Sequence, residues 1–363
     1  MDATQQAEIT VEPDIGYGND QSSGLAVLDP ENDSQNDNDN SLSDGYAALL
    51  HEEIERRWLS GGRILDAMCR HALAPGGKLM RPVLLLESAV AVGGRAESVL
   101  PAALGTECGH VASLVHDDII DGDETRRGRP AVHSAFGTDQ AIVAGDALIF
   151  FLFQCLAECR ETGVPEDRIV AALDVVARAG YDLCRGQSLE SELKGDVSCD
   201  VDTYLEMIRL KTAALFRASC ESGAILGQGP QDHIHALAQY GEHLGTAFQI
   251  HDDLLAYTSD AETTGKAAAS DVRNRRLTLP VILAYQRADA DDRARIEEIM
   301  AGDVPDAFTT MGQVIERTQA VAASRRMAWQ TAEQARRDLA VLPPTPSRSR
   351  LARLATLAID RDR

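Results

Sequence analysis

The sequence predicts an all-α domain of roughly ten or more helices, running from about residue 45 to residue 363. Three observations predict it. Apolar residues return every three or four positions, alternating β-branched runs are scarce, and Gly or Pro punctuation falls where the periodic stretches stop. A parallel-sheet enzyme needs β-branched strands between its helices, and the chain does not supply them. At 363 residues and 44% hydrophobic content there is enough apolar material for a large core.

The elements follow in order. The first 50 residues hold eleven Asp or Glu and no Lys or Arg, half of the net charge of −22. Their "ENDSQNDNDNSLSDG" run has too little apolar content to offset the entropy of ordering, so residues 1–44 are expected to be a disordered acidic tail. "YAALLHEEIERRWL" (46–59) has the first helical stripe, and "APGGKLMRP" (74–82) interrupts the pattern. A long stripe, "PAALGTECGHVASLVHDDIIDG" (101–122), stops at "DETRRGRPAVH" (123–133). "AIVAGDALIFFLFQCLA" (141–157) is interrupted by Asp146 and shorter than the roughly 20 residues that span a bilayer, so it reads as a buried helix and no transmembrane segment is expected. "ETGVPED" (161–167) opens the helix of 167–193, and "GQGPQD" (228–233) precedes the one that ends in "FQIHDDLL" (248–255). "LPPTPS" (342–347) precedes a short C-terminal helix. Nothing between 46 and 340 has the composition of a flexible linker, which favours one domain over 45–363.

Composition also excludes partners and compartments. An acidic body repels phosphate backbones, so nucleic acid is not an expected partner. The seven Cys show no paired-ligand rhythm, and no ordinary targeting signal is visible; core thiols in the cytoplasm are expected.

Two short phrases carry the chemistry, "HDDIID" at 116–121 and "HDDLLA" at 251–256. Asp117 and Asp121 are four apart, which on a helix puts their carboxylates on one face about 5–6 Å from each other, with Asp118 alongside. Hard carboxylate oxygens in that pattern suit Mg²⁺, although a solvated acidic helix end accounts for them equally when they are taken alone. Asp252 and Asp253 follow a second apolar stripe, so the two clusters suggest facing walls of one cavity able to hold a diphosphate through metal and a hydrocarbon beside it. Lys78, Arg81, His110, Arg126 and Arg127 supply cationic or donor groups near these phrases. The chain has only four lysines, Lys78, Lys194, Lys211 and Lys266, among its 35 basic residues. A retained lysine in an arginine-rich chain points to a need for a compact point charge.

These motifs, in this order, resemble the trans-isoprenyl diphosphate synthases, or polyprenyl synthetases. "GGKLMRP" (76–82), "HVASLVHDDIIDGDETRRGRPAVH" (110–133), "AGDAL" (144–148), "GQ" (186–187), "KTAALF" (211–216), "FQIHDDLL" (248–255), "TGK" (264–266) and "DVRNRRLTLP" (271–280) carry the resemblance, which covers about 46–363 and is most like a bacterial geranylgeranyl diphosphate synthase. It implies a single-domain isoprenoid synthase helical bundle around a central cavity, acting as a homodimer. It implies that Asp117 and Asp121 bind two Mg²⁺ ions with Asp118 in support, and that Asp252 binds a third with Asp253 nearby. Arg126, Lys211 and Lys266 would contact the allylic diphosphate, and Lys78, Arg81, His110 and Arg127 that of isopentenyl diphosphate. Thr212 and Gln249 would sit by the reacting carbons; Lys194 matches no role and is expected on a surface loop. The implied reaction is Mg²⁺-dependent head-to-tail condensation of isopentenyl diphosphate with an allylic diphosphate.

One letter departs from the family pattern, since Ala256 stands where the second cluster usually has its third Asp. Weaker catalysis, a class I terpene cyclase or a non-catalytic subunit of a heteromer are the alternatives this opens. The retained Lys78, Arg81, His110 and Arg127 favour a synthase, because a cyclase has no second diphosphate to hold. Asp260, four residues on, is a possible substitute for the lost carboxylate. The resemblance implies that the hydrocarbon grows beside the residues five and four positions before Asp117, here the small Ala112 and Ser113; Phe150 or Phe153 in "FFLF" is the next candidate floor, although ordinary core packing explains them equally. That layering predicts a C20 product, geranylgeranyl diphosphate, with C15 and C25 or longer as alternatives.

Overall fold

The computed structural model describes residues 40–58, 62–74, 77, 79–258, 271–302 and 304–360. Fifteen α-helices lie among them, and the only strands there are two residues long each. In order these are α1 (Asn40–Arg57), α2 (Ile64–Leu73), α3 (Met80–Ala91), α4 (Ala96–Asp121), the ribbon β1 (Thr125–Arg126) with β2 (Arg129–Pro130), α5 (Val132–Phe136) and α6 (Thr138–Glu158). There follow α7 (Glu166–Glu192), α8 (Val201–Ile208), a π-helical turn (Arg209–Ala213), α9 (Ala214–Leu226), α10 (Gln231–Thr258), α11 (Leu279–Arg287), α12 (Ala290–Ala301), α13 (Ala307–Arg317), α14 (Ala320–Asp338) and α15 (Pro346–Leu357). The all-α expectation holds. The expected acidic tail falls outside the described residues up to 39, and residues 40–44, placed with it by composition, belong to α1.

Helix starts follow local chemistry. Asp200 caps α8 by accepting from the Thr203 N–H at 2.8 Å, Asp289 caps α12 from Asp292 at 2.9 Å, and Thr345 caps α15, whose first residue is Pro346. α4 ends where Gly122 adopts φ +69°, a conformation that costs glycine nothing. The break expected at 123–133 holds the ribbon, whose turn residues Arg127 and Gly128 both have positive φ (+52° and +76°), as a two-residue type I′ turn requires.

Two apolar cores form. The larger gathers α1–α4, α6, the first half of α7, α9, the first part of α10 and α15, while the smaller gathers α8, the end of α10 and α11–α14. The second acidic phrase lies on α10 at the join between them.

α6 corrects one expectation. It runs for 21 residues, so it is not too short to cross a bilayer, and by length and composition alone it is the one described helix that could. Nor is it fully buried. Ala144, Gly145, Leu148, Leu152 and Cys155 pack inward against the core, whereas Ile142, Val143, Ile149 and Phe150 are exposed. Its inward face and Asp146 make it a helix of the bundle with one apolar side left open.

Candidate active site

A cavity of about 780 Å³ is lined by the end of α4 (Leu114, Asp117, Asp121), the ribbon (Arg126, Arg127), Glu190 of α7, Lys211 and Thr212 of the π turn, Gln249, Asp252, Asp253 and Ala256 of α10, and residues 271–278. The two acidic phrases therefore share one space, as their repetition predicts. Asp117 makes no hydrogen bond or ion pair with any described residue; burial raises its pKa, with the Lys211 ammonium acting in the opposite sense. Asp121 is ion-paired with Arg276, and Arg276 also reaches Asp271 at 3.2 Å.

Asp118 turns the other way. Its side chain is almost wholly buried and holds the Arg126 guanidinium, with Nε 2.8 Å from Oδ1. The support expected of Asp118 has this physical form. The direct diphosphate contact expected of Arg126 is qualified by it, since that guanidinium is already engaged by Asp118 and lies 3.6 Å from Asp123.

On the opposite wall a hydrogen-bond chain runs from the π turn into α10. The Thr212 hydroxyl donates to Gln249 Oε1 at 2.9 Å, and Gln249 Nε2 donates to Asp253 Oδ1 at 2.9 Å. Asp253 Oδ2 accepts from the Tyr204 hydroxyl at 2.7 Å and from the Leu279 N–H at 3.3 Å. Burial pushes the Asp253 carboxyl up to about 7, against the pull of the Tyr204 and Gln249 hydrogen bonds. Expected in the catalytic set, Asp253 lines the cavity with both carboxylate oxygens engaged by these hydrogen bonds. It ties α8, α10 and α11 together and fixes the Gln249 amide.

Lys211 sits on the π turn, where one extra residue per turn redirects side chains. The turn can press against α7 because position 186 is glycine; a Cβ there would collide with the Lys211 backbone nitrogen. Lys211 Nζ lies 2.5 Å from Glu190 Oε2. A third cluster surrounds Arg127, whose guanidinium stands against Gly77. Arg81 stacks its guanidinium 4.4 Å from the Phe216 ring centre, and burial lowers its pKa to about 10. Burial first, and then Arg81, Arg127 and Arg126, press the His110 pKa well below its ordinary value, so its imidazole is neutral at neutral pH. Lys78, Lys266 and Asp260 lie outside the described residues. Lys194 is exposed in the turn after α7, where it was expected.

The hydrocarbon floor needs correction. Ala112 is fully buried, and Ser113 donates to the His110 carbonyl at 2.7 Å. Phe150, however, is 73% exposed and does not close a cavity within this chain; Phe153 is half-buried and packed against the larger core. Leu152 and Cys155 of α6 pack against α4; Leu152 Cδ1 lies 2.5 Å from where a Cβ on Gly109 would stand. Gly109 is one turn before Ala112 and Ser113. The helical period turns the aromatic residues of "FFLF" away from that line.

Sequence reasoning missed Glu190, Tyr204, Asp271 and Arg276. Asp271 and Arg276 lie in the quoted "DVRNRRLTLP", and Glu190 is four residues after Gly186, but nothing in those spacings says which carboxylate pairs with which cation.

The polyprenyl synthetase profile matches residues 62–316. A short chain isoprenyl diphosphate synthase of Methanothermobacter thermautotrophicus is 37% identical over 292 residues, 80% of this chain and 89% of that protein. The crystal structure of geranylgeranyl pyrophosphate synthetase from Pyrococcus horikoshii superposes with a TM-score of 0.82 at 34% identity, covering 88% of this chain and 98% of the other. A polyprenyl synthase from Caulobacter crescentus, complexed with calcium and isoprenyl diphosphate, gives a TM-score of 0.82 at 31% identity, over 89% and 97% of the two chains.

Proposed function

Because this chain belongs to the polyprenyl synthetase family, enzymes that condense isopentenyl diphosphate head to tail with allylic diphosphates, we propose that it makes geranylgeranyl diphosphate (C20) in a Mg²⁺-dependent reaction. The observation that carries the reading is the single cavity walled by Asp117 and Asp121 on one side and Asp252 on the other, with Lys211 and the arginines at its edge.

The donors fit a hard cation. They are carboxylate oxygens, and Asp117 is unengaged among the described residues. No three such side chains converge on one point among the described residues. Mg²⁺ takes one or two carboxylates and completes its shell with water and substrate phosphate oxygens. Asp117, Asp121 and Asp252 would hold three ions together with the diphosphate. Bound there, Mg²⁺ would stabilise the charge that develops on the departing diphosphate.

The side chains supply the rest. Lys211, Arg126 and Lys266 attract the allylic diphosphate; Lys78, Arg81 and Arg127 attract that of isopentenyl diphosphate, to which neutral His110 adds a hydrogen bond. Gln249 is held by Thr212 and Asp253, so its amide dipole is fixed where the allylic cation forms and does not reorganise as charge develops. The isopentenyl double bond attacks that cation, and the released diphosphate takes the proton lost from the product. Asp253 is not the base, because both its oxygens are already engaged. Small Ala112 and Ser113 above Leu152 support C20.

We also place the enzyme in the cytoplasm, where its seven free thiols stay reduced, and in a homodimer closed over the apolar side of α6. The test is incubation with isopentenyl diphosphate and dimethylallyl, geranyl or farnesyl diphosphate, with and without Mg²⁺, and mass spectrometry of the products. A linear C20 diphosphate made only with Mg²⁺ is expected. A linear C15 or C25 product overturns the chain length alone. A hydrocarbon formed without isopentenyl diphosphate identifies a class I terpene cyclase, and inactivity with every pair identifies a non-catalytic subunit.

A further inference from the structure

Arg276 is one of the few cavity cations that bridges two walls. Its Nη2 pairs with Asp121 at the end of α4, and its Nη1 lies 3.2 Å from Asp271, five residues back in its own segment. All three side chains are about three-quarters or more covered, at 24%, 13% and 25% exposure for Arg276, Asp121 and Asp271. The backbone that presents the guanidinium is pinned. The Arg276 N–H donates to the Asp271 carbonyl at 2.9 Å, the Gly195 N–H donates to the Arg275 carbonyl at 2.9 Å, and the Leu279 N–H reaches Asp253. Arg275 itself is held at φ +54°, an uncommon conformation for a residue with a side chain. Arginine suits this place because its fork has separate donors for two carboxylates, whereas an ammonium is a single point.

We infer that Arg276 is an exchangeable counter-cation for Asp121, competing with the divalent cation for that carboxylate and so setting the metal affinity of the substrate-free enzyme. The inference deepens the metal site and rests on the reading that Asp121 takes Mg²⁺. While Arg276 holds Asp121, the end of α4 is strapped to the segment that leads into α11, and the acidic wall is partly neutralised. When a divalent cation takes Asp121, Arg276 keeps Asp271 and the strap between the two walls is released. Metal entry is thereby coupled to a local change in the cavity wall, and the cation loads most readily when a diphosphate brings further oxygens to outweigh the arginine.

Binding of Mn²⁺ to the full-length, substrate-free protein, read from the electron paramagnetic resonance signal of free Mn²⁺, tests this. Arg276→Gln is expected to bind about tenfold more tightly than the unmodified chain, a difference of ~1.4 kcal/mol. Arg276→Lys, which keeps one charge and is the gentler change for folding, is expected to bind about threefold more tightly. Asp121→Asn is expected to weaken binding and to abolish the difference between Arg276 and Gln at 276. Equal or weaker binding by both Arg276 variants overturns the exchange while leaving the synthase reading intact. Absence of Mn²⁺ binding in every variant, with Mg²⁺-dependent condensation still present, overturns it too. Condensation that proceeds without any divalent cation instead removes the metal reading itself, and the exchange with it.

Discussion

Asp252 and Asp253 are neighbours with opposite duties. Both line the cavity; Asp252 is a ligand in our reading, while Asp253 is buried with Tyr204, Gln249 and the Leu279 N–H on its oxygens. Asp252→Asn is expected to weaken Mn²⁺ binding and to lower kcat/KM by about 10²-fold, the scale of losing one charge-stabilising group. Asp253→Asn is expected to leave Mn²⁺ affinity unchanged and to lower kcat about tenfold, because an imperfectly satisfied buried group costs ~1–3 kcal/mol and Gln249 loses its anchor. Equal effects of the two substitutions on Mn²⁺ affinity would make Asp253 a ligand after all. At Leu152 the readout is product length. Leu152→Ala opens space beside Gly109 and is expected to shift products toward C25, whereas Phe150→Ala, on the exposed side, is expected to leave length unchanged. Mass spectrometry of the two product sets decides between them.

At the scale of elements, α10 and α14 are joined by a titratable clamp. His243 Nδ1 lies 2.6 Å from Asp338 Oδ2, and the Gln334 side chain also donates to Asp338 at 3.2 Å. Donating a hydrogen bond from its ring to the Asp338 carboxylate raises the His243 pKa above its ordinary value, with burial opposing. A histidine whose folded pKa is raised adds stability that is complete below its unfolded value, near 6.5, and disappears as pH rises through the folded value. Tm is therefore expected to fall as pH rises from about 6.5 through the raised folded value in the unmodified chain, and to fall less in His243→Gln, measured by scanning calorimetry. An identical pH slope in the two proteins would remove the clamp. The π turn of Arg209–Ala213 acts at the same scale without titrating. By lodging against Gly186 it brings Lys211 to Glu190 and Thr212 to Gln249, so one irregular turn serves both the ionic and the dipolar sides of the cavity.

Across the whole molecule, α6 poses the clearest solution question. Ile142, Val143, Ile149 and Phe150 are exposed at helical spacing on either side of the exposed Asp146, with Phe150 73% exposed. A C₂ dimer would bury two copies of that surface against each other. If the unmodified chain sediments as the proposed dimer, Phe150→Glu is expected to give a monomer at micromolar concentration by sedimentation velocity, since two facing carboxylates would have to leave water together. A variant that sediments as the unmodified chain does would place the interface elsewhere.

The sequence by itself determined the helical class, because a 3.6-residue period and the residues that cap and break helices are local properties. It determined the family and the two acidic phrases for a related reason: Asp117 and Asp121 share a helical face by spacing alone, and motif order needs no coordinates. The tertiary structure decided which carboxylate is exposed to the cavity and which is locked away. Asp118 and Asp253 read just like their neighbours until the ribbon turns Arg126 back onto the first and Tyr204, 49 residues away, reaches the second. It also decided that Leu152 meets α4 while Phe150 faces outward, since the direction of a side chain on an apolar helix depends on what packs beside it. Pairings such as Arg276 with Asp121 span more than 150 residues, and ion pairs of that kind are fixed by where the helices converge, which a pattern of neighbouring letters does not encode.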